Sequence, residues 1–188
     1  MARDPSSFFG PWANFYLMTG SSAAALIGLM FVVMTLVTGT QRARRREGTA
    51  NFLTPTVVHF AAALLISATV EAPWRSLLYP RIVLALAGVY GVVYVIRTAY
   101  GMKRMPGYSA DAEDWIWHTL LPLLAYAAIL GGAISLAAFS AQALFAFGGA
   151  AVLMIFIGIH NAWDIVTFIA VDGVQQSANR SQNKESAP

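Results

Sequence analysis

The chain has 188 residues, of which 57% are hydrophobic and 11% charged, with a formal net charge of +3. Soluble domains carry charge on about a quarter of their residues, so there is too little charge here to coat a water-soluble globule of this size. The absence of cysteine excludes a disulfide framework, a thiolate metal site and cysteine redox chemistry.

Apolar runs of roughly 20 residues mark helices that can cross a bilayer, and five are predicted: 12–38, 52–73, 81–101, 115–139 and 143–171. None alternates with the two-residue period of a strand, and a single span must satisfy its own backbone, so all five read as helices. Breakers agree with these cuts. Gly39 and Gly48 flank the first loop, Pro73 and Pro80 the second, and Pro106-Gly107 the third. The expected fold is therefore an all-α, polytopic membrane bundle over residues 1–173. Residues 174–188, "VQQSANRSQNKESAP", are polar and free of aromatics, which predicts a disordered tail. No internal repeat is visible, against the paired inverted repeats of many secondary transporters.

Basic residues give an orientation. Four (Arg42, Arg44, Arg45, Arg46) follow the first span, three (Arg97, Lys103, Arg104) close the third, and two (Arg180, Lys184) lie in the tail. Those nine share one side, against Arg3, Arg75 and Arg81 on the other. The positive-inside rule then places the N-terminus outside and the C-terminus in the cytoplasm. The same topology accounts for the pI of 9.4 without a nucleic-acid partner. A cleaved signal peptide fits poorly, because the small residues 21–25, "SSAAA", precede the most apolar run. The first span is expected to be permanent.

Helices in lipid associate through close packing and hydrogen bonds, since acyl chains solvate Leu as well as protein does. Small-residue faces are expected to supply that packing, within the bundle or between copies of the chain: Gly20, Ala24 and Gly28 in the first span; Gly131, Gly132 and Ser135 in the fourth.

Ionisable residues inside spans are costly and by default point to function. With alternating helix directions, His59, His118, Arg97, His160 and Asp164 are predicted at overlapping depths in the cytoplasmic half, at about 1.5 Å per residue. His160 and Asp164 are four apart and share a face that Thr167 extends. Tyr90, Tyr94 and Arg97 form a second stripe. Thr56, His59, Ala63, Ser67 and Glu71 form a third, which drifts slowly around its helix as an interior-lining face should. Pro122, four residues after His118, should bend the fourth span and free a carbonyl.

Bland roles compete with functional ones. Asp164 and Arg97 are expected to pair between helices, or Arg97 to snorkel to the interface. His118 beside Trp115 and Trp117 reads as an interfacial residue, and Glu71 as a partner of Arg75. The layer expected to matter is His59, Arg97, His160, Asn161 and Asp164, with His118, Tyr94 and Thr167 as additional members. Proton or ion passage suits His with Asp. A metal held by His59, His160 and Asp164 or a bis-histidine haem is chemically conceivable, but no HExxH-type cluster supports it, so no cofactor is expected. No Ser-His-Asp, P-loop or dinucleotide motif is present.

"GSSAAALIGLMFVVMTLV" (20–37) and "IGIHNAWDIVTF" (157–168) resemble the two ends of a group of small multi-pass bacterial inner-membrane proteins. These have an "ALIGLLFVA"-like first helix and a late "GIRNAWDL"-like segment, in which His160 stands where Arg is common. The resemblance implies an inner-membrane location and a packing or site role for Asn161, Trp163 and Asp164. It implies no reaction. The function expected is a small homo-oligomeric channel or transport-type protein. The alternatives are a non-conducting scaffold and, third, a His-ligated metal or haem enzyme.

Overall fold

Lipid offers no water to an open backbone, so each apolar run must close its hydrogen bonds on itself. The computed structural model, which describes residues 9–40, 46–103 and 112–185, obeys that constraint: every element among the described residues is helical. A 3-10 turn, Gly10–Trp12, leads into α1 (Ala13–Thr40). Then come α2 (Arg46–Glu71), α3 (Leu78–Lys103), α4 (Ala112–Trp115), a π-helical turn (Ile116–Leu120), α5 (Leu121–Ser135) and α6 (Ser140–Glu185). Five stretches are long and apolar enough to cross a membrane: Gly10–Val33, Thr54–Glu71, Leu78–Gly101, Ile116–Ser135 and Ser140–Asp164. Each falls on one of the five expected spans.

Helix contacts run α1 to α2, α2 to α6, α6 to α5 and α5 to α3, with lesser contacts between α1 and α6 and between α2 and α3. The last helix therefore sits in the middle. Half of the spanning stretches of α2 and α6 is buried, against 28% for α1 and 22% for α3. The outer helices turn Leu17, Leu29, Phe31, Leu86 and Val89 outward, which in a membrane costs nothing because the surroundings are apolar.

Glycines set the closest approaches. A Cβ at Gly91 of α3 would land inside the ring of Tyr126 on α5, and one at Gly88 would lie 2.9 Å from Leu130 Cβ. At Gly132 of α5 it would lie 2.6 Å from Phe147 of α6, and at Gly20 of α1, 2.8 Å from Ser67 of α2. Gly158 of α6 lies flat against the Phe60 ring of α2. Of the expected packing residues, Gly20 and Gly132 thus serve within the chain, and Ser135 caps its own helix by donating to the Gly132 carbonyl at 3.2 Å. Gly28 and Gly131 meet nothing within 4 Å, and they and Ala24 are exposed. Those three do not pack within the bundle, because spacing fixes which residues share a face but not which neighbour that face meets.

Two polar clamps hold the end of the bundle that carries Trp74. Buried Tyr16 donates to the Leu144 carbonyl at 2.6 Å, tying α1 to α6. Arg81 donates from Nε to the Ala133 carbonyl at 3.2 Å and from Nη2 to that of Ile134 at 3.4 Å. A cation is well placed there, at the C-terminal end of α5, where helix carbonyls lack partners.

Two expectations change. Composition predicts disorder from 174, yet α6 runs on to Glu185. The segment 174–185 has no proline, and extending an existing helix is far cheaper than nucleating one. Pro122 does not simply bend its span. The helix widens ahead of it into the π-helical turn, where the Leu121 N–H bonds to the Ile116 carbonyl. Taking in an extra residue there relieves the crowding between the proline ring and the preceding turn.

Candidate functional site

The bundle end opposite Trp74 collects the polar side chains. The stripe on α2 faces inward: Thr56, His59, Ala63 and Ser67 are all buried. Ser67 needs no external partner, since its hydroxyl donates to the Ala63 carbonyl at 2.9 Å. His59 differs. Its Nδ1 lies 3.4 Å from the Tyr126 hydroxyl of α5, at the long end of hydrogen bonding, and the donor depends on the imidazole tautomer. Tyr126 reaches it because Gly91 leaves room for the ring between α3 and α5. His118 is half-buried on the π-helical turn.

Nearer the end of the bundle, His160 of α6 lies flat on Trp117 of the π-helical turn, ring centroids 3.8 Å apart and planes 16° from parallel. Its Nε2 is 3.2 Å from Asp164 Oδ2, one turn along α6, and 3.9 Å from Glu113 Oε1 of α4. The i,i+4 spacing fixes the first contact. The second exists because the π-helical turn brings α4 over α6. Thr167 donates to the carbonyls of Trp163 and Asp164, both at 3.0 Å, and does not extend the site.

Asn161 is buried at 2% exposure, yet among the described residues neither its amide oxygen nor its nitrogen has a hydrogen-bond partner. The Thr119 hydroxyl on the π-helical turn is likewise buried and unpartnered. Native interiors contain few such groups.

Arg97 does not join the layer. It is exposed on α3, and among the described residues it forms no ion pair; Asp164 pairs with His160 instead. The stripe that carries Arg97 turns partly outward, with Tyr90 63% exposed and stacked on half-buried Tyr94 at 6.2 Å. Glu71 also lacks the expected partner in Arg75 among the described residues. It opens beside a cleft of about 190 Å³ between Phe9, Val70 and Trp74, at the far end of the bundle. His59 and His160 belong to different groups, and among the described residues no three His, Cys, Asp or Glu side chains gather as a metal site. The proposed metal set of His59, His160 and Asp164 therefore does not converge.

Sequence reasoning missed Tyr126, Trp117 and Glu113. Tyr126 carried a signal: a tyrosine in the middle of a span buries a hydroxyl that needs a partner. Trp117 read only as an interfacial aromatic, and the position of Glu113 depends on the unforeseen π-helical turn.

Five helices of this length with a largely apolar exterior are compatible with a multi-pass helical membrane protein. No family model, curated protein or solved structure matches the chain. Its chemistry therefore has to be argued from its own side chains.

Proposed function

We propose that the protein is a transport-type membrane protein that passes protons or small cations, with His59 as the inner station and His160 with Asp164 as the mouth. One observation carries this reading: His59 is buried inside the bundle, with the Tyr126 hydroxyl at the long end of hydrogen-bonding distance from its Nδ1, 3.4 Å away. Imidazole and phenol both donate and accept protons, and a buried ionisable pair is expensive to keep for packing alone. Between His59 and the far cleft the core is built mainly from Ala63, Ile66, Ile129, Phe147, Ala151 and Met154, and the buried hydroxyls of Ser67 and Thr69 there are bonded within α2. On this reading the described arrangement is a closed one.

The accompanying topology places the N-terminus outside and the His160 end at the cytoplasm of a bacterial inner membrane. The positive-inside count favours it, although Arg3, Arg42, Arg44, Arg45 and Arg104 lie outside the described residues. The outward Ala24, Gly28 and Gly131 suit contact between copies of the chain, so the working unit is a homo-oligomer in lipid.

The test is proton flux into liposomes containing the purified protein and a trapped pH-sensitive dye. Flux above that of empty vesicles, lost in His59→Leu, is the expected result; flux equal to that of empty vesicles defeats the reading. The same dry core favours a second reading, a non-conducting scaffold whose polar groups only fix helix order. That reading expects His59→Leu to change stability while neither protein moves protons.

A further inference from the structure

The seam between α2 and α6 begins tightly. Gly158 has no side chain, and the Phe60 ring of α2 occupies the space a Cβ would take. One helical turn further along α6 comes Asn161. Because α2 and α6 run in opposite directions, it stands level with Thr56 and Val57, one turn back along α2. The next residue, Ala162, packs with Val57 against the buried Met30 and Phe60. An amide has two donor hydrogens and two acceptor lone pairs, and among the described residues none of these is used at Asn161. Leu has nearly the same shape and would fit this setting without penalty.

A group that is unfavourable in the closed seam becomes favourable when water reaches it. Several features make this end of the seam the one able to part. Pro55, inside α2 and beside Thr56, removes a backbone hydrogen bond from the opening turns of that helix. Just beyond Asn161, Trp163 and Asp164 are already exposed. At the opposite end α6 is anchored, though to α1, by the Tyr16 hydroxyl donating to the Leu144 carbonyl.

We infer that the α2–α6 seam is a gate that parts at Asn161, and that the unmade hydrogen bonds of this amide bias the closed bundle toward opening. The inference deepens the transport reading by naming where the closed arrangement yields, but opening can be measured without any flux.

Because the chain has no cysteine, single cysteines report opening without background. Thr56→Cys is made in the otherwise unchanged protein and treated with a small water-soluble methanethiosulfonate on open membrane sheets. Thr56 is 0% exposed, so modification requires the seam to part. Ala151→Cys, also 0% exposed but in the packed core, is the control for unfolding. Thr56→Cys is expected to react while Ala151→Cys stays protected. Adding Asn161→Leu should slow the Thr56→Cys reaction roughly 5- to 150-fold, equivalent to about 1–3 kcal/mol at tenfold per 1.4 kcal/mol. Should Asn161→Leu fail to fold, Asn161→Ala makes the same comparison. The inference is overturned if Thr56→Cys is as unreactive as Ala151→Cys, or if its rate does not depend on residue 161. Labelling that behaves as expected without proton flux would leave the gate standing and remove the transport reading.

Discussion

Gly91→Ala is the sharpest test of the packing. The added methyl carbon would fall within the Tyr126 ring, so either the ring turns away from His59 or α3 moves off α5. Tyr126 is buried and 3.4 Å from His59, which leaves little room for the first outcome. Overpacking of this kind costs about 1–3 kcal/mol, partly offset by up to about 1 kcal/mol from the better helix propensity of Ala. A net loss of roughly 1–2 kcal/mol is expected. Gly131→Ala is the matched control, since nothing lies within 4 Å of that position; it should be neutral or stabilising. Both are read by reversible unfolding in mixed micelles with increasing denaturing detergent, followed by circular dichroism. Equal stability of the two variants would refute the α3–α5 geometry. A loss at Gly131→Ala alone would instead mean that the outward face packs against another copy.

Other bonds can be tested singly. Tyr16→Phe removes the buried bond to the Leu144 carbonyl and should cost about 0.5–1.5 kcal/mol in the same unfolding assay. A double-mutant cycle of Trp117→Leu and His160→Leu should show coupling of about 0.5–1.5 kcal/mol, as expected for stacked rings; strictly additive losses would contradict the stack. Arg97→Ala and Asp164→Ala should be additive within about 0.5 kcal/mol, because the residues do not pair. Strong coupling between them would restore an interhelical ion pair that the geometry denies.

Much of the architecture was legible in the residues, because a span must be about twenty apolar residues long and the breakers lie between spans. The burial of Thr56, His59 and Ser67 was legible too, since a drifting polar stripe has only one tolerable direction in lipid. Direction failed where a stripe mixed chemistries. Tyr90, Tyr94 and Arg97 can face an interior or an interface equally well, and here Tyr90 and Arg97 face out. Glycine spacing failed similarly: Gly20 meets Ser67, but Gly28, two turns on, meets nothing. The His160–Asp164 contact follows from i,i+4 spacing, while Trp117 and Glu113 reach that histidine only through the π-helical turn. Helix order in space was not readable, since neighbouring spans carry no code for which of them ends in the centre.

That order bears on biogenesis. The helix on which α2 and α5 both pack follows them in the chain, so the four spans ahead of it leave the ribosome with no partner between α2 and α5. Until α6 threads between them, His59 and Tyr126 have little to shield them from acyl chains. Membrane insertion should therefore yield a loose, protease-sensitive intermediate that becomes compact in a single late step. A chain cut ahead of Ser140 would persist in that vulnerable form and be cleared by quality-control proteolysis.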